Sequence, residues 1–154
     1  MKLCIFIAIC SCLIFFGASS TADPRLEALG TGEYCIYSTE EISSPFITKT
    51  ADLGFCYIYY CASPDADRVR ALFSKIDGES IRIETSDPNF PAQILKKLNY
   101  RAVVRSNFDS TENILAYSPR GLAFIREGAQ KINLQIARNA DTVTVGWPVI
   151  LGSY

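Results

Sequence analysis

The closing stretch of the chain, Lys131–Tyr154, most constrains its fold, because its side chains alternate with a period of two. Ile132, Leu134 and Ile136 share one side, and Asn133, Gln135 and Ala137 share the other. After a connection over Arg138–Asp141, Val143 and Val145 continue the apolar side, with Thr142 and Thr144 opposite. Period two marks a half-buried strand, since successive side chains point to opposite faces of a sheet. The pattern predicts an antiparallel hairpin with one side in the core and a polar side open to solvent. Gly146-Trp147-Pro148 is expected to bend or end the ladder, because proline cannot donate to it.

The preceding residues supply partners for that hairpin. Tyr34–Tyr37 reads as a strand, and Gly54–Cys61 (GFCYIYYC) is an almost unbroken run of β formers. Ile42–Leu53, with Pro45 inside it, fits a loop or an edge strand. A helix is expected from Ser63, as N-cap, through Pro64 and the apolar positions Val69, Leu72, Phe73 and Ile76, stopping at Asp77-Gly78. Ser80–Thr85 alternates with Ile81 and Ile83 inward, and Ala92–Leu98 gives a second helix. Arg101–Arg105 and Glu112–Tyr117 read as strands, while Leu122–Arg126 fits a helical turn or an extended crossing. Strands mixed with two helices and joined by short polar turns imply α+β, a largely antiparallel sheet with the helices packed on one face.

Met1-Lys2, the apolar run Leu3–Phe16 and the small residues up to Ala22 have the form of a secretory signal peptide, with cleavage before Asp23 or, as an alternative, after Ser19. The apolar run is shorter than the roughly 20 residues that span a bilayer. An uncleaved segment would be the one membrane attachment expected. Residues 1–22 are thus read as the signal, 23–33 as a polar linker and 34–154 as a single domain, secreted or extracytoplasmic and associated with the cell envelope. Of six cysteines, Cys4, Cys10 and Cys12 fall in the signal and Cys35, Cys56 and Cys61 remain. In an oxidising compartment one disulfide is expected. Cys56 and Cys61 are five positions apart along a strand and would face opposite ways, so Cys35 would pair with Cys56 or with Cys61. Three unbonded thiols are the alternative.

Charge and composition exclude several functions. There is no histidine, which removes Ser-His-Asp and Cys-His hydrolase arrangements and His-based metal sites. Basic and acidic residues number 15 and 16, and loss of the signal removes Lys2 alone, leaving 14 against 16. No basic excess remains to neutralise a phosphate backbone, so no nucleic-acid partner is expected.

Asn133–Arg138 (NLQIAR), Thr142–Gly146 (TVTVG), Pro148–Ile150 and Tyr154 resemble the end of the YwmB family. These are exported proteins of Gram-positive, mostly spore-forming bacteria with a TATA-box-binding-protein-like fold. The resemblance reaches back through Ile114–Ser118 to Leu98–Val104 and does not include the first half of the chain. It implies that α+β fold and no established activity, with no catalytic residues to carry across. Fold does not carry function, and an exported, near-neutral domain has neither the place nor the charge for promoter binding.

The candidate binding residues are Asn133, Gln135 and Thr144 on the polar side of the hairpin, beside Trp147, the single tryptophan. Tyr57, Tyr59 and Tyr60 with Trp147 are a second candidate, as an aromatic platform for a glycan or peptide. Of the acidic pairs, Asp65 and Asp67 suit the helix N-terminus, and Glu40 and Glu41 a turn. No catalytic residue, metal ligand or cofactor is expected. The chain is read as an exported, non-enzymatic binding or accessory domain whose partner is an envelope protein or a wall component. The alternatives are a carboxylate-dependent cell-wall hydrolase and a structural subunit of an envelope complex, which would show an exposed apolar patch.

Overall fold

The computed structural model describes residues 26–121 and 123–151. The expected signal peptide, with Cys4, Cys10 and Cys12, lies outside the described residues, as do Leu122 and Tyr154. The strands are β1 (Glu33–Ser38), β2 (Lys49–Asp52), β3 (Tyr57–Ala62), β4 (Gly78–Glu84), β5 (Arg101–Phe108), β6 (Thr111–Tyr117), β7 (Ile125–Glu127), β8 (Gln130–Ile132), β9 (Leu134–Arg138) and β10 (Thr142–Trp147). The helices are α1 (Ala66–Arg70) and α2 (Phe90–Leu98). Eight strands form one antiparallel sheet in the order β2-β3-β1-β4-β10-β9-β6-β5, and β7 pairs with β8 in a separate hairpin. This is the expected α+β class: a large antiparallel sheet with two helices. The closing hairpin β9–β10 is inserted mid-sheet, where β10 pairs with β4 and joins the strands of the first half of the chain to those of the second.

Register assigns every strand residue to a face. Tyr34 stands opposite Ile81 and Cys61, Val145 opposite Ile81 and Ile136, and Ile136 opposite Ile114. These side chains form one continuous apolar face, and Ala66, Val69, Ile94, Leu95, Leu26 and Leu29 pack onto it. Removing a side chain such as Ile136 or Val145 fully from water contributes about 1.5–3 kcal/mol before ordering entropy. Leu26 is 0% exposed. The stretch expected as a polar linker therefore brings a short 3-10 turn, Leu26–Leu29, into the core.

The opposite face is covered over part of its area. The β7–β8 hairpin and the chain after β10 lie across it, and Leu115, Ile132 and Val149 form a second, smaller cluster there. Ile132 therefore does not share a side with Leu134 and Ile136, contrary to the alternation. Asn133 sits between β8 and β9, outside both ladders, and donates its backbone N–H to Ala116. One residue out of ladder at that point lets the strands on either side face opposite ways.

The first helix is shorter than its apolar spacing predicts. It ends at Arg70, and Leu72 is 44% exposed. Glu40 ends it: its carboxylate accepts the backbone N–H of Ser74 at 3.1 Å and of Lys75 at 2.9 Å, together with the Ser74 hydroxyl. Ser38 Oγ donates to the Lys75 carbonyl at 2.9 Å and Asp77 N–H to the Tyr37 carbonyl at 2.8 Å. The peptide groups that would continue the helix are thus bonded to β1 and the turn after it. Ser63 does not cap with its side chain. Its hydroxyl accepts from Gly32 N–H at 3.1 Å and its N–H donates to the Gly32 carbonyl, fastening β3 to β1. α2 forms where expected but begins two residues earlier, at Phe90, with Pro91 in its first turn rather than in the loop before it, and Asn99 stops it in the left-handed region at φ 59°.

Candidate functional site

The polar side of the closing hairpin is not an open surface. Asn133 is 0% exposed, Gln135 5%, Thr144 6% and Trp147 4%. The Asn133 side chain works as a piece of backbone: its Oδ1 accepts from Ser118 N–H at 2.9 Å and its Nδ2 donates to the Ser118 carbonyl at 2.8 Å. The loop after β6 is thereby pinned over it, so closely that a Cβ on Gly121 would meet Nδ2. Gln135 donates from Nε2 to Asn113 Oδ1 at 3.0 Å and accepts the backbone N–H of Ile150 at 3.0 Å. It holds a strap, residues 148–151, that folds back after the cis Trp147-Pro148 bond and crosses Gly146. Leu151 N–H completes the strap by donating to the Tyr37 hydroxyl at 3.2 Å, and that hydroxyl donates to Ser80 Oγ at 2.5 Å. Both amides spend donor and acceptor within the fold, so the expected binding face of Asn133, Gln135 and Thr144 is replaced by a structural one. The cause is a strap and a hairpin laid on the sheet from elsewhere in the chain, which strand periodicity does not record.

The aromatic platform is likewise divided between layers. Tyr59 is 0% exposed and bonds Glu40 and Ile42 backbone through its hydroxyl, and Trp147 lies in the core. Tyr57 and Tyr60 are half-buried and fall on opposite faces of β3. Three of the four acids in those pairs also have structural occupations: Asp65 meets Arg68 at 3.2 Å, Asp67 meets Arg70, and Glu40 ends the helix. The hydrogen bonds from Ser74, and behind them that from Lys75, hold the Glu40 carboxyl below its ordinary range.

Cys35, Cys56 and Cys61 are free thiols. Cys61 stands beside Tyr34 on the helix-covered face, whereas Cys35 stands beside Tyr60 on the other, so these two cannot bridge through the sheet. Cys56 precedes β3 by one residue and lies four residues along the chain from Tyr60, about 13 Å at strand rise, far beyond disulfide reach of Cys35. The expected bridge from Cys35 to Cys56 or Cys61 is therefore not formed. Burial pushes the Cys35 thiol up to about 12 and that of Cys61 up to about 11, and raises that of Cys56. All three are held as unreactive thiols rather than as thiolates.

The strongest polar constellation is one the sequence reading missed. Glu79 is 3% exposed and faces the core beside Tyr34, whose hydroxyl donates to its Oε2 at 2.5 Å. Arg70, the last residue of α1, donates from Nε to Glu79 Oε1 at 2.7 Å and from Nη2 to Oε2 at 3.2 Å. The same Nη2 reaches Glu27 Oε2 at 3.1 Å and Tyr34 Oη at 3.0 Å. Burial lowers the Arg70 pKa, but hydrogen bonding and charge from Glu79 outweigh it and hold the guanidinium ionised. Burial, then Glu79, drives the Tyr34 phenol strongly upward. A signal was present: Glu79 has the same parity as the inward Ile81 and Ile83. The network ties α1, β1, β4 and the N-terminal 3-10 turn together, and its bonding capacity is filled internally.

What stays open is the end of the uncovered sheet face between β1 and β4. Glu33 and Arg82 are register partners there, Glu84 follows on the same face of β4, and Cys35 is half-buried beside them. Thr31, Gly32, Glu33, Arg82 and Glu84 line an open depression of about 530 Å³. A second, of about 410 Å³, lies at the β5–β6 and β9–β10 turns and is lined by residues including Asp109, Glu112 and Arg138. Among the described residues no group of three or more Cys, Asp or Glu could hold a metal ion, and no helix is long and apolar enough to cross a membrane. No protein-family model matches the chain, and no curated protein or solved structure is significantly similar to it.

Proposed function

We propose that the chain is an exported, non-enzymatic binding or accessory domain of a bacterial cell envelope, similar to the YwmB proteins and sharing their TATA-box-binding-protein-like fold. Export rests on the charged start, apolar run and small residues that close at Ala22. The fold assignment is supported by the antiparallel sheet and by helices that pack on its apolar face. The observation that carries a binding role is the bare row Glu33, Arg82 and Glu84 around the larger depression. These charges lie side by side on one flat sheet face, where they can meet complementary charges of a protein partner. A hydrolase needs two carboxyls converging from opposite sides of a bond. Glu33 and Glu84 share one face with Arg82 between them, an arrangement that favours docking over cleavage.

A photo-crosslinking residue at position 31, an exposed lining position of the depression, in protein exported by its host, tests this reading. Crosslinking to one envelope component, abolished by Glu33→Lys/Glu84→Lys, supports it. Crosslinks indistinguishable from those at an unrelated exposed site such as Thr50 overturn it.

A further inference from the structure

Charge is segregated across the sheet in a way the near-zero net charge conceals. Residues 26–87 carry eleven acids against five bases, whereas residues 88–151 carry four acids against eight bases. Apart from Lys96 and Lys97 of α2, the second of which reaches back to the Ala28 carbonyl at 2.6 Å, the sheet order converts this division of sequence into a division of space, with β2, β3, β1 and β4 on one side and β10, β9, β6 and β5 on the other. The β7–β8 hairpin lies against this basic half, outside the eight-stranded sheet. Ile125 and Ile132, register partners, turn inward and staple it to Leu115 and Val149. Arg126 and Lys131, also register partners, turn outward. Phe124 joins them there: Lys131 Nζ is 4.5 Å and Arg126 Cζ 5.8 Å from the ring centroid, yet the residue remains 39% exposed. Arg101, opposite Tyr117 at the end of β6, and Arg120 in the loop that follows β6 are exposed as well. Among the described residues no carboxylate lies within ion-pair distance of Arg101, Arg120, Arg126 or Lys131. Glu127, exposed next to Arg126 and opposite Gln130, is the acid of this hairpin.

We propose that the outward face of the β7–β8 hairpin, Phe124 between Arg126 and Lys131, docks on an anionic phospholipid surface, with Arg101 and Arg120 at the Tyr117 end of β6 adding to the same basic half. Unpaired cations are attracted to lipid phosphates, and an exposed ring among them gains only where an apolar phase lies behind those phosphates. That ring distinguishes a bilayer from a soluble polyanion, which would recruit the cations alone. The acidic half of the sheet is repelled by the same surface, so the charge separation also orients the domain, with the β2 edge away from the lipid. The inference stands independently of the protein-docking reading of Glu33, Arg82 and Glu84.

Co-sedimentation of the full chain with vesicles of phosphatidylcholine, with and without phosphatidylglycerol, tests the proposal. The readout is the difference between the two, because the apolar N-terminal run would partition into both alike. Binding is expected to rise with phosphatidylglycerol and to fall as salt is added. Arg126→Gln/Lys131→Gln is expected to weaken the phosphatidylglycerol-dependent part roughly twenty-five-fold, at about fivefold for each cation. Phe124→Ser should weaken it further while leaving any binding of inorganic polyphosphate unchanged. Equal binding to both vesicle types, or no loss in the charge variant, overturns the proposal. Full retention of the phosphatidylglycerol-dependent part by Phe124→Ser overturns the lipid assignment in favour of a soluble polyanion. The salt and lipid dependence of the unmodified chain decides the matter should either variant fail to fold.

Discussion

Arg70 grips the two oxygens of Glu79 from the side, through Nε at 2.7 Å and Nη2 at 3.2 Å, where the last turn of α1 meets the inner face of β4. Glu79 has 4% of its side chain exposed and Arg70 28%. A pair this buried stabilises little relative to an apolar pair, but removal of one partner strands a charge in the core. Arg70→Ala is therefore expected to destabilise the protein by about 3 kcal/mol or more. Arg70→Met/Glu79→Leu is expected to recover most of that loss. Urea unfolding followed by tyrosine and tryptophan fluorescence checks both, and an Arg70→Ala midpoint equal to wild type would sink the account of this network.

Asn133 bonds both backbone groups of Ser118, at 2.9 and 2.8 Å, in a site with no exposure. Asn133→Ala leaves that N–H buried without a partner, at about 1–3 kcal/mol, while the carbonyl loses one hydrogen bond, about 1 kcal/mol, and keeps the one from Gly121 N–H at 3.3 Å. A loss of about 2–4 kcal/mol is expected. Loss of any binding activity in this variant would follow from the loss of fold, and a thermal melt measured beside the binding assay separates the two.

The hairpin alternation was legible because Val143, Val145, Leu134 and Ile136 occupy a regular ladder, and that regularity carried the fold class. Asn133 and Gln135 were misread for a related reason. Polar residues alternating with core residues look solvated unless something distant covers them, and here the covering pieces are the strap, the β7–β8 hairpin and the Ser118 loop. The first helix failed in the opposite direction. Val69, Leu72, Phe73 and Ile76 have helical spacing, but Glu40, more than thirty residues away, takes the peptide N–H groups of Ser74 and Lys75. Local pattern cannot report a capture at that distance. Glu79, by contrast, was readable in principle, since its parity put a carboxylate on the core side of β4.

The strap across Gly146 leaves no room for a side chain. An added Cβ would stand 2.6 Å from Ile150 Cγ1 and 2.7 Å from Ile150 N. Gly146→Ala is expected to lift the strap and cost about 1–3 kcal/mol. Gln135→Ala removes the acceptor of the Ile150 N–H while keeping Gly146. Hydrogen exchange at Ile150 and Leu151 should then quicken about five- to tenfold, the loss of one net hydrogen bond. Unchanged exchange would mean that Gln135 does not hold the strap.

The buried thiols predict instability in alkali with a definite sign. The thiols of Cys35 and Cys61 lie at about 12 and about 11 in the folded protein, against an ordinary 9.0. Above pH 9 the unfolded chain releases protons that the folded chain keeps, so ionisation favours the unfolded state. The stability tied to these thiols is fully present below pH 9 and is lost as pH rises through the folded values. At about pH 10.5 the loss should reach about 1–2 kcal/mol for each thiol. Cys35→Ala and Cys61→Ala are each expected to flatten the fall of the urea midpoint between neutral and alkaline pH, whatever they do to stability at pH 7. Slopes that stay unchanged in both variants would assign the alkaline loss to other groups, first among them Tyr34, whose phenol burial also raises.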